Sequence, residues 1–533
     1  MAATAPPQPR SATTAASTWE ENVTALGNAL YSIQSCQNSD YPKPTDALPQ
    51  HLRVAKRLLK TRPLHVFLDP PPDVPATSYF RASPSRAITT IAALLSLSTL
   101  HSVAKDDLRA LWPFDDSVWA CALRWTAYFL PIHRDHSLDE LPYLLDKGTS
   151  CFLMIAVLRI FESITTLPTE HARELLLSSG NNALCSVVAL WALWPTIADE
   201  LNADELRAFQ PDLCCSRTFA AVWNLLERDV AQNLIGTHIL RLVGGRERRV
   251  FRILAAHLRT TLSAGERGRA ELNAQLDVIY QVAHKYEWTP QTLPAAFAAA
   301  VVAVLDEHLV NSPKTTNACY ALLRIWHFCL LSDHFITLCL ENGLFPLLVH
   351  IRMVCPSCSS GVPPEAEAFD SPGGTTGGLL VLIGDCLNAR RAVRGFHEAL
   401  LKFPARLPPI QLREDEQAVI SIAQRRYTLL ERAELEWESV AVCCNPSCSS
   451  ARDVTLRACP CGEALYCSTR CQRAHWDNAT HREVCKTFME RSRDNFLGTM
   501  RAKDLHFLVA ITRAYIEENY AQIAGWMPCY LRR

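Results

Sequence analysis

The feature that most constrains this chain is a cluster of metal-ligating side chains near its C-terminus. Eight of the 21 cysteines lie within residues 443–485, together with His475 and His481. Thiolate sulfur and imidazole nitrogen are the ligands that Zn²⁺ prefers, and ligands a few residues apart let a short loop present two of them to a tetrahedral ion. The cluster therefore predicts a small zinc-binding module.

The rest of the chain has the composition of an ordinary globular protein. Of its 533 residues 49% are apolar and 20% are charged, so it can form several domains and bury a large core. The formal net charge of −1 excludes a global basic footprint for nucleic acid or an acidic membrane. The N-terminus lacks the apolar core of a secretory signal. We therefore expect an intracellular protein, in the nucleus, the cytoplasm or both, with its other cysteines reduced.

Apolar residues at helical spacing dominate residues 87–411 and predict a mainly α fold. The segments are rich in Ala and Leu, and breakers such as Pro195 separate them. Short helices in series are typical of an armadillo or HEAT solenoid, and an irregular helical domain is the alternative. The predicted helices cover 87–100, 118–130, 151–164, 183–194, 251–262, 272–286, 295–309 and 318–332.

The distribution of proline, glycine and cysteine predicts the domain organisation. We expect a disordered tail over 1–17, then short helices and a proline-rich linker over 18–86. The helical region 87–411 contains a loop insertion at about 354–378, which ends in the glycine-rich run 373–378, and helix resumes at 379–401. A linking helix over 412–440 precedes the finger at 443–485, and 486–533 form a C-terminal helix and tail.

Two uncharged stretches, Asn181–Ala198 and Trp288–Leu305, reach about the shortest length that spans a bilayer. Both contain proline and polar residues, and neither has aromatic and basic anchors at its ends. We therefore expect buried helices rather than membrane spans.

The order of the ligand pairs resembles the MYND-type zinc finger. The pairs are Cys443–Cys448, Cys459–Cys461, Cys467–Cys471 and His481–Cys485, and the YCS, CQ, HW and final HxxxC elements complete the resemblance. It covers about 45 residues. The wider layout, a helical region followed by a C-terminal finger and one more helix, is similar to that of MYND-containing proteins of mushroom-forming fungi.

The resemblance implies two structural Zn²⁺ ions bound in cross-brace fashion. In that family the first and third ligand pairs share one ion, and the second and fourth pairs share the other. Because each site has four protein ligands and no open position, the zinc is expected to be structural rather than catalytic. The implied ligands are Cys443, Cys448, Cys467 and Cys471 for the first ion, and Cys459, Cys461, His481 and Cys485 for the second.

Three details of the spacing leave alternatives open. Cys444 is an alternative to Cys443, because both lie at a usable distance in sequence from Cys448. Cys459 and Cys461 are separated by one residue, whereas the commoner finger has two. His475 is a possible rival of His481 as a ligand.

The family resemblance implies a protein-interaction protein that is not an enzyme. Proline-containing peptides bind such fingers near a Gln-x-x-x-Trp segment, which corresponds to Gln472 and Trp476; the alternative is that Trp476 only packs over the zinc core. We expect partners to be other proteins, with no direct nucleic acid and no membrane. A SET-type lysine methyltransferase would need SET segments on both sides of the finger, and a regulator that contacts nucleic acid would need a basic helix. The sequence carries neither.

Overall fold

The computed structural model of this protein is helical over nearly all of the residues that it describes, which confirms the predicted mainly α fold. The chain forms two compact units, Met1–Ala300 and Val301–Arg533. The described residues are 13–38, 47–103, 116–130, 147–178, 182–200, 215–226, 228–263, 266–285, 293–310, 333–354, 372–402, 412–449, 456–459, 464–477, 480–492 and 502–530.

In its described part, the first unit is built from helices and one 3₁₀ turn, His65–Leu68. The helices are α1 (Thr13–Asn38), α2 (Ala47–Leu59), α3 (Ala76–Ala82), α4 (Pro84–Val103), α5 (Asp116–Phe129), α6 (Lys147–Thr165), α7 (Thr169–Leu177), α8 (Ala183–Glu200), α9 (Cys215–Leu225), α10 (Arg228–Leu242), α11 (Glu247–Ser263) and α12 (Glu266–Lys285), and the boundary between the units falls within α13 (Ala295–Val310).

The second unit adds more helices and a two-stranded antiparallel sheet. Its elements are α14 (Asp333–Glu341), α15 (Leu344–Val354), α16 (Pro372–Cys386), α17 (Arg390–Lys402), α18 (Glu414–Val440), β1 (Arg457–Ala458), β2 (Leu465–Tyr466), α19 (Thr469–Asp477), α20 (Thr480–Ser492) and α21 (Ala502–Tyr530).

Most of the predicted helices appear at the expected places, usually a few residues longer. The predicted helix 318–332 lies outside the described residues. Helices α7, α9, α10, α14 and α15 were not predicted from the sequence, nor was α3, which lies within the expected linker. Helix α1 begins at Thr13, inside the segment that was expected to be a disordered tail.

Pro195 was predicted to separate two helices. In the structure it lies inside α8 instead. A proline has no N–H, so the carbonyl of Trp191, four residues earlier, loses its partner within the helix. The ring of His257, on α11, occupies that position: its Nε2 lies 2.7 Å from the Trp191 oxygen, and the two rings stack at 5.1 Å. The helix tolerates the proline because a neighbouring helix supplies the missing donor.

The glycine-rich run 373–378 was expected to end a loop, but the structure places it in the first turns of α16. Pro372 is the first residue of this helix, where a proline loses no intrahelical hydrogen bond. The apolar segment that follows buries Leu379, Leu380 and Ile383. Burial of these three side chains favours a helix over 379–383. Adding residues to an existing helix is easier than starting one, so the same helix also includes the preceding glycines. The helix expected over 379–401 is instead two helices, which are separated by a turn after Cys386.

In the first unit, α4 lies against α1 and α6. Gly27 of α1 allows close approach, since a Cβ atom there would lie 3.3 Å from the Oγ of Ser96. Ser98 of α4 and Ser163 of α6 share a buried hydrogen bond of 2.7 Å, and Ser98 also donates to the Arg159 carbonyl. These bonds satisfy polar groups that would otherwise be costly to bury.

By length and composition alone, two described helices could cross a membrane. Neither coincides with Asn181–Ala198 or Trp288–Leu305, the two stretches considered from the sequence. They are Pro84–Val103 and Gly148–Thr165, and 61% of each window is buried inside the protein. A third would be the bent pair His334–Glu341 and Leu344–Met353, if the pair counts as one span.

In the second unit, α18 connects the helical region to the cysteine cluster. Its buried face includes Val419, Ala423 and Leu430. The side chain of Glu416 is 1% exposed and forms a bidentate pair with Arg352 of α15, at 2.6 and 2.7 Å. This pair fixes the first turn of α18 against α15.

Candidate metal centre

Four cysteines from two separate segments meet at one point in the second unit. The Sγ atoms of Cys443, Cys448, Cys467 and Cys471 all lie within 4.8 Å of one another. The Sγ of Cys467 lies 3.5 Å from that of Cys448 and 3.4 Å from that of Cys471. These separations are far longer than the S–S bond of a disulfide, about 2.0 Å, so no disulfide joins these cysteines.

A tight turn brings the first two cysteines together. The carbonyl of Asn445 accepts the N–H of Cys448 at 2.9 Å, and its side-chain oxygen accepts the N–H of Ser447 at 3.3 Å. Asn445 is 6% exposed, so these bonds form in a nearly dry environment. Asparagine followed by proline favours such a turn, because the side chain imitates a backbone acceptor and proline fixes φ.

The second two cysteines lie on either side of a helix start. Cys467 directly follows β2, and Cys471 is in the first turn of α19. Ser468 lies between them, and its hydroxyl oxygen accepts the N–H of Cys471 at 3.2 Å, which is the bond expected of an N-cap serine. The cap thereby fixes the distance between the two sulfur atoms.

A second set of ligands lies beside the first and is more deeply buried. Cys459 follows β1, while His481 and Cys485 lie four residues apart on one face of α20. The Sγ of Cys459 lies 3.2 Å from Nε2 of His481 and 3.8 Å from the Sγ of Cys485. The fourth predicted ligand of this set, Cys461, lies outside the described residues.

The distances between the ligand atoms fit tetrahedral coordination. With metal–sulfur bonds of about 2.3 Å and metal–nitrogen bonds of about 2.0 Å, the edges of a tetrahedron are about 3.8 Å between sulfurs and about 3.5 Å between sulfur and nitrogen. The observed separations of 3.4–3.8 Å between sulfurs and 3.2 Å between sulfur and nitrogen lie close to these edges. Both sets could therefore hold a metal ion.

The two alternative ligands have other roles in the structure. The Sγ of Cys444 accepts the N–H of Leu465 at 3.3 Å, while the backbone N–H of Cys444 donates to the Leu465 carbonyl at 2.8 Å. Nδ1 of His475 lies 2.9 Å from the hydroxyl oxygen of Tyr466, and its ring stacks on that of His481 at 5.2 Å. Neither Cys444 nor His475 belongs to the described ligand sets.

A very small apolar core connects the two sets. Its buried members are Cys459, Ala464, Tyr466 and Cys485. Trp476 is partly buried against this core, with its ring 6.2 Å from that of His481. Gln472 is also partly exposed, one turn earlier on α19. Both residues of the predicted peptide-binding pair therefore keep some surface in contact with solvent, while Trp476 also packs on the core.

Burial and hydrogen bonding set the protonation of the ligands. Burial raises the pKa of the Cys443 thiol to about 11. Hydrogen bonds from the side chains of Asn445, Ser468 and Cys467 lower the pKa of Cys471. Burial, with a smaller contribution from nearby His475, lowers the pKa of His481 and so favours the neutral ring that a metal ligand must be. A bound cation would deprotonate the coordinating thiols outright.

Seven of the predicted ligand residues come together in the structure, but the residues that position them were not predicted from the sequence. Asn445, Ser468 and Tyr466 hold the first turn, the helix cap and the core of this cluster. A serine immediately before a helix and an Asn-Pro pair are signals that could have identified two of them.

No known protein family, curated protein or solved structure matches this chain.

Proposed function

We propose that the C-terminal cluster is a MYND-type zinc finger, which serves as a protein-docking module on a helical scaffold. One observation carries this proposal: the ligands alternate along the chain. The pair at 443 and 448 joins the pair at 467 and 471, and the intervening Cys459 joins His481 and Cys485. This alternation is what the cross-brace of the resembling family requires.

The proposed metal is Zn²⁺, with one structural ion in each set. Sulfur and imidazole ligands in tetrahedral arrangement suit zinc, and Cys461 would complete the second set to four ligands. In small fingers a structural zinc replaces the apolar core that the segment is too short to form. Among the described residues this core has four buried members, which is consistent with that dependence.

The proposed partners are other proteins that present proline-containing segments to Gln472 and Trp476. Seven thiolates and one neutral imidazole against two divalent ions leave a local charge of −3, which basic residues near the finger oppose. Such a balanced surface favours a peptide over a phosphate backbone.

We also propose that the chain is not an enzyme, that it acts in the nucleus, the cytoplasm or both, and that it contacts neither membrane nor nucleic acid directly.

Binding of proline-containing peptides by the full chain tests this function. An array of such peptides would identify a ligand, and its Kd would be measured by calorimetry for the wild type and for Gln472→Ala. Gln417→Ala is the matched control, because it makes the same change at an exposed position of α18. We expect only Gln472→Ala to weaken binding, with zinc content unchanged in both. If no peptide binds, or if both variants bind as the wild type does, the docking function is wrong.

A further inference from the structure

The first unit contains an aromatic cleft that the proposed function does not use. Its volume is about 810 Å³, within the range of pockets that take small organic ligands. Rings line it from several elements: Trp19 on α1, His65 in the 3₁₀ turn, Tyr79 on α3 and Trp125 on α5. The prolines at positions 70, 72 and 84 add further apolar surface.

Three of these rings use a polar atom within the protein. The indole N–H of Trp19 donates to the Pro63 carbonyl at 2.9 Å, and that of Trp125 donates to the Asp69 carbonyl at 3.3 Å. Nδ1 of His65 lies 2.9 Å from the Arg62 carbonyl oxygen. Trp19 is partly exposed and therefore offers a ligand its ring surface rather than a hydrogen-bond donor, whereas Trp125 is buried and packs against Tyr79.

The charged groups around the cleft are mainly acidic. Glu20 and Asp69 line it, and Arg86 is the basic residue among the described lining side chains. The carboxylate of Glu20 accepts a hydrogen bond from the Ser85 hydroxyl at 3.3 Å, which places it between α1 and the start of α4. Two carboxylates in a cleft that aromatic rings also line attract a cation.

The rings also hold one another in place. Trp19 and His65 meet edge to face with centroids 5.7 Å apart, and Tyr79 and Trp125 are tilted at 6.1 Å. Trp125 is 3% exposed, so packing fixes its orientation. The cleft therefore offers a preorganised aromatic surface, which lowers the entropic cost of binding.

We propose that this cleft binds an alkylated ammonium group. Such a group is positive, has an apolar surface, and in its quaternary form donates no classical hydrogen bonds, so aromatic faces and nearby carboxylates suit it better than water-coordinating oxygens alone. The group could belong to a free choline-like molecule or to a methylated lysine side chain of a peptide. The proposal is independent of zinc and of the finger.

Titration of the full chain with choline tests the proposal. Binding would be followed by NMR, because rings shift the signal of a trimethylammonium group that lies on them. The control ligand is the uncharged isostere of choline, in which a tert-butyl group replaces the trimethylammonium group. We expect choline to bind at least about tenfold more tightly than this isostere. Equal affinity for the two, or no shift of the choline methyl signal, would overturn the proposal.

A second arm uses a peptide that contains trimethyl-lysine, compared with the same peptide containing unmodified lysine. If only the methylated peptide binds more tightly than its control, the source of the group is a protein side chain. If only choline exceeds its isostere, the source is a small molecule. If neither ligand exceeds its control, the cleft does not recognise alkylated ammonium.

Two substitutions in the cleft test its charge. Glu20→Gln should weaken choline binding about threefold to fivefold, since it removes one carboxylate at a partly exposed site. Arg86→Gln is the opposite control and should leave binding equal or tighter. The melting temperature of each variant would be measured first, and Asp69→Asn replaces Glu20→Gln if the latter does not fold. Weaker binding by Arg86→Gln with unchanged binding by the carboxylate variant would refute the assignment.

Discussion

His257 is predicted to make the first unit sensitive to acid. Burial lowers the pKa of this imidazole from 6.5 to about 4, and the hydrogen bond with the Trp191 carbonyl opposes the shift only in part. The folded chain therefore resists taking up a proton that the unfolded chain accepts near pH 6.5. The stability that comes from the neutral ring is complete above that pH and is lost as the pH falls toward 4.

The size of this effect follows from the pKa difference. The difference between 6.5 and about 4 is 2.5 units. At about 1.4 kcal/mol per unit, the free energy of unfolding should fall by about 3 kcal/mol over the whole range, and by about 2 kcal/mol between pH 7 and pH 5. A loss of that size is a large fraction of the stability of an ordinary domain.

Urea unfolding of the wild type and of His257→Gln, at pH 7 and at pH 5, would measure it. Glutamine retains an N–H for the Trp191 carbonyl but does not titrate, so the variant should lose about 2 kcal/mol less than the wild type on acidification. His51→Gln is the control, because His51 is a partly exposed histidine of the same unit. If His257→Gln and the wild type respond to pH alike, His257 is not a buried neutral base and the reasoning fails.

Two further predictions concern the second unit. Arg352→Met should cost about 3–5 kcal/mol because it leaves Glu416 charged and unpaired in the interior, while the double variant with Glu416→Leu should recover much of that loss in chemical unfolding. Gly395→Ala should destabilise by about 1–3 kcal/mol, since the new Cβ atom would lie 2.5 Å from Cγ of Glu341 and 3.1 Å from its Cα. Gly384→Ala meets nothing within 4 Å and should stabilise its helix by up to about 1 kcal/mol, so a higher melting temperature for Gly395→Ala than for Gly384→Ala would contradict this packing.

The helices could be predicted from the sequence because their signals are local. Ala- and Leu-rich segments at three- to four-residue spacing became helices wherever the structure describes them. Pro195 shows the limit of such signals. It was expected to end a helix, and the helix continues because His257, far away in sequence, supplies the missing donor. No local pattern contains that contact.

The ligand residues were also readable from the sequence, but the choice between neighbours was not. Both Cys443 and Cys444 satisfy the spacing rule, and only the folded backbone distinguishes them, since Cys444 faces the N–H of Leu465. In the same way, His475 and His481 differ by their partners and not by their residue type. The aromatic cleft had no sequence signal, because its four rings come from four separate elements.

The zinc content of the purified full chain tests the central claim most directly. It would be measured by elemental analysis for the wild type, Cys443→Ser and Cys444→Ser. The two variants make the same change at adjacent positions, of which only Cys443 belongs to a ligand set. We predict two zinc ions per chain in the wild type and in Cys444→Ser, and at most one in Cys443→Ser. Fewer than two ions in the wild type, or loss of zinc from Cys444→Ser alone, would contradict the interleaved two-ion finger.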